Sequence, residues 1–137
     1  MSAVAGARRQ ARERALGLLY EAEAKGEAPT TVLAALPVDP DPYATSLVEG
    51  VERHGEEIDR LIASHAIGWA LERMPAVDRS LLRLATFELL GRPDTPTGVV
   101  ISEAVELAKE YSTEESGRFV NGVLAALAAV TRPPGTG

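Results

Sequence analysis

The sequence lacks cysteine, has aromatic side chains at only 4% of its 137 positions, and contains no long apolar run. Without cysteine the chain can form neither disulfides nor zinc sites built on thiolates. No segment reaches the ~18 consecutive apolar residues typical of a membrane span. The basic N-terminus is followed by an amphipathic stretch rather than by the apolar core of a signal peptide. We therefore expect a cytoplasmic protein without membrane association.

Alanine and leucine dominate the composition. Hydrophobic residues make up 45% of the chain and charged residues 25%, as in ordinary globular proteins, and the length suits one domain. Such a composition favours helices packed on helices. Apolar residues recur at helical spacing almost throughout. They predict an all-α bundle with helices over residues 7–25, 30–36, 43–54, 58–69, 77–90, 99–111 and 112–130.

Proline and glycine mark the predicted boundaries. Residues 37–42 and 91–98 are expected to be loops, because closely spaced prolines cannot continue a helix. We expect residues 1–6 to be flexible, residues 7–130 to form one domain, and residues 131–137 to be a disordered tail. Ser112 and Glu115 can form a capping box for the last helix. Within that helix, Gly122 is interpreted as a place where another helix comes close.

The N-terminus concentrates positive charge in an acidic chain. Residues 1–14 carry a charge of +3, from Arg8, Arg9, Arg12 and Arg14 against Glu13. Because the net charge of the chain is −6, the remaining residues carry −9. Cations at a helix N-terminus oppose the macrodipole, so helix stability does not explain them. Binding to a polyanion would explain them, because guanidinium groups bind phosphate oxygens bidentately and each such contact releases counterions from the polyanion. The alternative from these residues alone is a solvated N-terminus with ordinary surface charge.

Catalytic and metal-binding patterns are weak. His54 and His65 lie almost on one helical face and Glu57 is nearby, but Gly55 intervenes and no third strong ligand is evident. No phosphate-binding loop, dinucleotide fingerprint or nucleophile elbow occurs. We therefore expect no metal, no cofactor and no enzymatic activity. Three acids are interpreted as surface or capping charges: Asp59, Asp78 and Glu106.

Several longer segments carry a family resemblance. In order between residues 7 and 127 the chain contains "ARRQARERALGLLYE", "LVEGVERHGEEIDRLI", "WALERMPAVDRSLLRLATFELL" and "VVISEAVELAKEYSTEESGRFVNGVL". Together these resemble the NusB family of transcription antitermination factors. The resemblance implies a compact bundle of about seven helices in two halves. It also implies a non-enzymatic factor that pairs with NusE, a ribosomal small-subunit protein, and binds the single-stranded boxA element of nascent ribosomal RNA. The assembly joins the RNA polymerase antitermination complex and promotes read-through of terminators.

The resemblance also assigns roles to particular residues. The arginine-rich motif that contacts RNA in the family corresponds to Arg8, Arg9 and Arg12. Tyr20 and Phe119 match aromatic positions at or near the RNA surface, where unstacked bases can stack on rings. Two cations are candidates for further phosphate contacts: Arg118 and Lys109.

Two acids receive separate predictions. Glu88 lies on the same helical line as Leu81 and Leu84, where a bare carboxylate is costly unless it is paired. One interpretation is an internal partner, such as an arginine from a neighbouring helix. The other is a partner protein, and the resemblance favours it because Glu88 matches a NusE-contacting acid. Glu115 matches an acid near the RNA, where repulsion would tune affinity.

Two alternatives and one question stay open. The bundle could be a protein-interaction scaffold that never binds RNA. NusB-like domains also precede some ribosomal RNA methyltransferases, but the sequence contains no cofactor-binding region, so we do not expect that role. The oligomeric state is open between a monomer and a homodimer, and a homodimer that covered the RNA-binding face would have to dissociate before RNA could bind.

Overall fold

The computed structural model describes residues 3–133, and this part of the chain is helical with no strand. The all-α prediction of about seven helices is confirmed. Helix α1 begins at Ala3, four residues earlier than expected, and the ends of the predicted N-terminal segment and tail, residues 1–2 and 134–137, lie outside the described residues. Within the described range there are seven α-helices and one 3-10 segment, Leu71–Arg73: α1 (Ala3–Lys25), α2 (Pro29–Ala34), α3 (Pro42–Arg53), α4 (Gly55–His65), α5 (Ala76–Gly91), α6 (Thr97–Tyr111) and α7 (Glu114–Thr131).

Local chemistry sets several of these boundaries. Helix α3 has Pro42 at its first position, where a missing N–H costs nothing, and the Asp41 side chain accepts from the Tyr43 N–H at 2.7 Å. Helix α7 is capped by Thr113, whose Oγ1 accepts from the backbone N–H of Ser116 at 2.9 Å. The predicted capping box starting at Ser112 is therefore wrong by one residue. The Thr113 side chain satisfies a backbone N–H in the first turn of α7 that has no partner within the helix.

Helix α5 is the centre of the bundle. It contacts α1, α3, α4, α6 and α7. In addition α1, α2 and α3 contact one another, and α6 packs along α7. The expected arrangement in two halves is confirmed. Helix α5 buries residues on most of its circumference, including Leu81, Leu82, Leu84 and Ala85. At roughly 1.5–3 kcal/mol for each large apolar side chain, this burial makes α5 the main source of core stability.

The close helix approach lies at Gly50 rather than at Gly122. A Cβ atom on Gly50 would overlap the ring of Phe87, so α3 can lie against α5 only because Gly50 has no side chain. Gly122 is exposed, and a Cβ there would meet nothing within 4 Å. The prediction for Gly122 is wrong, because helical spacing shows that a glycine lies in a helix but not which neighbour it faces.

A polar network joins three helices near the far end of α1. Glu23 forms ion pairs with Arg79 and Arg83 of α5, and Arg83 also donates to Asp59 of α4 at 2.8 Å. The Arg79 hydrogen bond, against the opposing effect of burial, lowers the pKa of Glu23 below its ordinary value. Asp59 is thus part of an ion pair rather than an isolated surface charge. None of the helices in residues 3–133 combines the length and the apolar character needed to cross a membrane.

Candidate nucleic-acid interface

Arg12, predicted to contact RNA, lies inside the protein. Its guanidinium donates to both carboxylate oxygens of Glu88, at 2.8 and 2.9 Å, and its side chain is 3% exposed. The Tyr43 hydroxyl donates to the same carboxylate at 2.7 Å. Glu88 is 1% exposed. Of the two interpretations of this acid, the structure shows the internal one, in which its partner is an arginine of a neighbouring helix. Arg12 is therefore not open to a phosphate in this conformation.

The pKa values of Arg12 and Tyr43 are both shifted beside Glu88. Burial alone would lower the pKa of Arg12, but the hydrogen bonds and charge of Glu88 outweigh it and the pKa is raised. Burial also raises the pKa of Tyr43, and its hydrogen bond to Glu88 adds to the rise. A second acid, Glu103, lies 3.7 Å from Arg12. The cluster is a buried ion pair with every carboxylate oxygen of Glu88 satisfied.

Arg9 and Lys109 line one shallow depression between α1 and α6. The Arg9 guanidinium donates to both oxygens of Glu103, at 3.1 and 2.6 Å, and this hydrogen bonding raises the pKa of Arg9. The Arg9 side chain is nevertheless 43% exposed. Lys109 lies 3.6 Å from Glu106. Both predicted RNA-binding cations are accessible, and a phosphate would compete with a carboxylate for each.

Arg8 is exposed and differs from the other two arginines of the motif. Its Cζ lies 3.8 Å from the centroid of the Tyr43 ring, a cation–π distance, and it forms no ion pair within residues 3–133. Arg92 approaches the same ring at 5.4 Å and donates to the Ser46 hydroxyl at 2.5 Å. Arg8 and Arg92 line one open depression together with Asp94. Sequence reasoning missed Arg92, because a single arginine in a predicted loop carries no distinguishing pattern.

Tyr20 lies on the same side of α1 as Arg9. Eleven residues separate them, which at 3.6 residues per turn is close to three turns, or about 16 Å along the helix. Glu13 shares this side and accepts from the Tyr111 hydroxyl at 2.6 Å, which raises the pKa of Tyr111 to about 12. Tyr20 and Tyr111 are each 47% exposed. Both rings are therefore available to stack against a base.

Phe119 and Glu115 lie at a third depression, at the start of α7. Phe119 is partly buried and faces Trp69, with ring centroids 6.1 Å apart, and Glu115 is exposed. Asp78 lines the same depression and is 3% exposed, so of its two interpretations, a surface or a capping charge, the surface one is wrong; it lies in the first turn of α5. Arg118, next to Phe119, is exposed and forms no ion pair within the described range. The predicted residues of α7 are thus together on the surface.

Comparison with known proteins shows the family to which this chain belongs. The model of the NusB family matches residues 9–129. The chain belongs to the NusB family. The NusB transcription antitermination protein of Kineococcus radiotolerans is 50% identical over 126 residues, covering 89% of this chain and 93% of that protein. The NusB protein of Acidothermus cellulolyticus is 51% identical over 139 residues, covering 96% of each chain.

Solved NusB structures share the fold. NusB of T. maritima superposes with a TM-score of 0.80 at 37% identity, covering 88% of this chain and 89% of that one. A chain from a complex of the antitermination factors NusB and NusE with double-stranded RNA has a TM-score of 0.78 at 34% identity, covering 90% and 97%. The resemblance seen in the sequence is confirmed, and with it a non-enzymatic member of the NusB family.

Proposed function

We propose that this NusB-family chain is an RNA-binding antitermination factor that acts with NusE on the boxA element of nascent ribosomal RNA. The observation that carries the proposal is its likeness, over nine-tenths of the chain, to a solved NusB–NusE complex with RNA. The surface chemistry supports it. Accessible guanidinium groups and the exposed ring of Tyr20 occur together on α1, and the ring of Phe119 lies near the start of α7.

Each predicted residue receives a role in this proposal. Arg8 binds a phosphate directly, since its charge is not neutralised by a carboxylate. Arg9 exchanges Glu103 for a phosphate, with little net change in its hydrogen bonding. Lys109 and Arg118 add phosphate contacts. Tyr20 and Phe119 stack on bases, each stack being worth about 1–3 kcal/mol. Arg12 supports the motif from inside the bundle.

The acids have the complementary roles. Glu115 weakens RNA binding by repelling phosphates. Glu88 contributes to the NusE-binding surface indirectly, by holding Arg12 and Tyr43 in place beneath it. With NusE bound, the pair joins the RNA polymerase antitermination complex and promotes read-through of terminators. Because bacterial transcripts are made in the cytoplasm, we propose that location.

A salt titration tests the proposal. Binding of boxA RNA is measured by fluorescence anisotropy at several salt concentrations, for the chain alone and with NusE. For single strands each phosphate contact contributes about 0.7 to the slope of log K against log salt. Arg8→Ala is expected to lower the slope by roughly that amount. Arg60→Ala is the matched control, because Arg60 is exposed on α4 and forms no ion pair in residues 3–133.

The outcomes separate the two functions. A slope that falls for Arg8→Ala and is unchanged for Arg60→Ala supports RNA binding. No binding with or without NusE would instead favour a protein-interaction scaffold. A homodimer that masks the surface would make the apparent RNA affinity fall as the protein concentration rises. An affinity independent of protein concentration excludes such masking.

A further inference from the structure

The depression beside Phe119 offers more than a surface for stacking. It encloses about 250 Å³ and is lined by Trp69, Pro75, Asp78, Thr113, Glu115, Ser116 and Phe119. The planes of Trp69 and Phe119 are tilted by 59°, so the two rings form adjacent walls rather than a stack. Trp69 is 50% exposed. Two partly open aromatic faces beside polar groups are suited to a planar ligand with hydrogen-bonding edges.

Asp78 is the unexplained group of this depression. It is 3% exposed, yet its Oδ1 accepts no hydrogen bond from residues 3–133. Leaving a buried acceptor unsatisfied is costly, and more so for a charged one. Its place in the first turn of α5 lets the helix macrodipole offset part of that cost. The dipole supplies no hydrogen-bond donor for Oδ1, and this oxygen has almost no exposed surface, so a donor from outside the chain reaches it only when the Asp78 side chain rotates.

We propose that this depression, which we call the Asp78 pocket, binds one guanine base of the RNA. Asp78 accepts from the N1–H and the exocyclic amino group of the base, while Trp69 and Phe119 contact its ring. Recognition of single-stranded RNA commonly uses bases that are splayed out and read in this way on their Watson–Crick edge. The inference rests on the proposed RNA-binding function and adds a base preference to it.

Guanine is favoured by the pattern of donors. Its Watson–Crick edge presents two adjacent N–H groups, which match the two oxygens of one carboxylate. Adenine and cytosine present one amino group beside an acceptor nitrogen, and uracil presents one N–H between two carbonyl oxygens that a carboxylate repels. The terminal torsion of an Asp side chain is broad, so a small rotation of Asp78 can present both oxygens.

The negative charge of the Asp78 pocket excludes the phosphate backbone of the RNA. Asp78 and Glu115 both line it, so a phosphate group there would meet two carboxylates. A neutral base avoids this repulsion, and donors on its edge find acceptors in the two carboxylates, beside the hydroxyl groups of the pocket. The pocket is therefore suited to reading a base, while Arg8, which forms no ion pair within residues 3–133, is suited to holding the backbone.

The test is an inosine scan with the full chain and NusE. Guanines of boxA RNA are replaced one at a time by inosine, which lacks the amino group, and affinity is measured by anisotropy. One position is expected to lose about tenfold, or roughly 1.4 kcal/mol. Trp69 is the only tryptophan, so its emission should change on binding and change less with the inosine RNA.

Two variants locate the effect. Asp78→Asn is expected to bring the guanine-to-inosine affinity ratio close to one while inosine RNA binds about as well as before. Glu72→Gln is the matched control: it removes one negative charge from an exposed residue near Trp69 that does not line the pocket, and should keep the full ratio.

Three results would overturn the inference: no inosine-sensitive position, an unchanged ratio in Asp78→Asn, or a Trp69 emission that does not respond to RNA. The scan of the unaltered chain decides the matter even if Asp78→Asn does not fold. Salt-dependent RNA binding without guanine discrimination refutes this inference alone. Absence of any RNA binding refutes the proposed function as well.

Discussion

Replacing Glu88 by glutamine tests how much the buried ion pair contributes to stability. The change keeps the shape of the side chain but leaves the Arg12 guanidinium in the core without its bidentate partner. Removing one member of a buried pair typically costs about 3–5 kcal/mol. Because Glu103 remains 3.7 Å from Arg12, we expect the lower end, near 3 kcal/mol. For a chain of this length that corresponds to a fall in Tm of roughly 10 °C.

The assay is thermal and urea unfolding followed by circular dichroism, in a double-mutant cycle with Arg12→Met. In the double variant neither charge remains and the glutamine can still accept from Tyr43. We therefore expect the double variant to be more stable than the sum of the single effects by about 1–3 kcal/mol. Glu21→Gln is the control: it removes the acid of an exposed ion pair with Lys25, and should cost less than about 1 kcal/mol. A Glu88→Gln variant as stable as the parent, or additive effects in the cycle, would refute this account.

Three further predictions concern other parts of the bundle. Gly50→Ala places a methyl group against an aromatic ring of α5 and should lower the free energy of unfolding by about 1–3 kcal/mol. Gly17→Ala has open space around it and should raise the free energy of unfolding by up to about 1 kcal/mol. Equal effects of the two variants in urea unfolding would contradict the packing described. Because the pKa of Glu23 is lowered in the folded state, its ionised form stabilises the protein above its unfolded pKa, near 4.5, and this stabilisation is lost as the pH falls through the folded pKa. The difference in stability between the parent and Glu23→Gln should therefore shrink below about pH 4.5. A difference that stays constant with pH would argue against the ion pairs. Tyr111 should titrate near pH 12 in ultraviolet absorbance and move towards 10 in Glu13→Gln, and an unmoved titration would exclude that hydrogen bond.

The helices were predictable because local periodicity encodes them. Apolar residues at helical spacing located all seven, and the proline-rich segments located the loops between α2 and α3 and between α5 and α6. The helix ends were predicted less well: α1 begins four residues earlier than expected, and α4 spans Gly55–His65 instead of residues 58–69. The cap of α7 is Thr113, a neighbour of the residue expected, because adjacent Ser and Thr side chains are equally able to cap.

The surface was harder to predict than the fold. Arg12 and Glu88 are 76 residues apart, and the sequence around each gives no sign that one neutralises the other. The internal alternative for Glu88 could be stated from its helical line, but the partner could not be named. For Asp78 the sequence indicates a surface or capping charge, because an acid near a helix start is favourable in either place. Its burial depends on Trp69 and on α7, which only the tertiary structure brings together.

The buried position of Arg12 affects how the basic N-terminus can be dissected. Trimming the chain beyond Arg14 looks like a clean way to delete the cationic segment while leaving the rest of the molecule intact. Such a truncation would also strip Glu88 of its cation and remove the first turns of α1 from the core. Loss of activity in the shortened protein would then report misfolding as much as a missing contact. Single substitutions at Arg8 or Arg9 reduce this ambiguity, since both leave the ion pair between Arg12 and Glu88 in place.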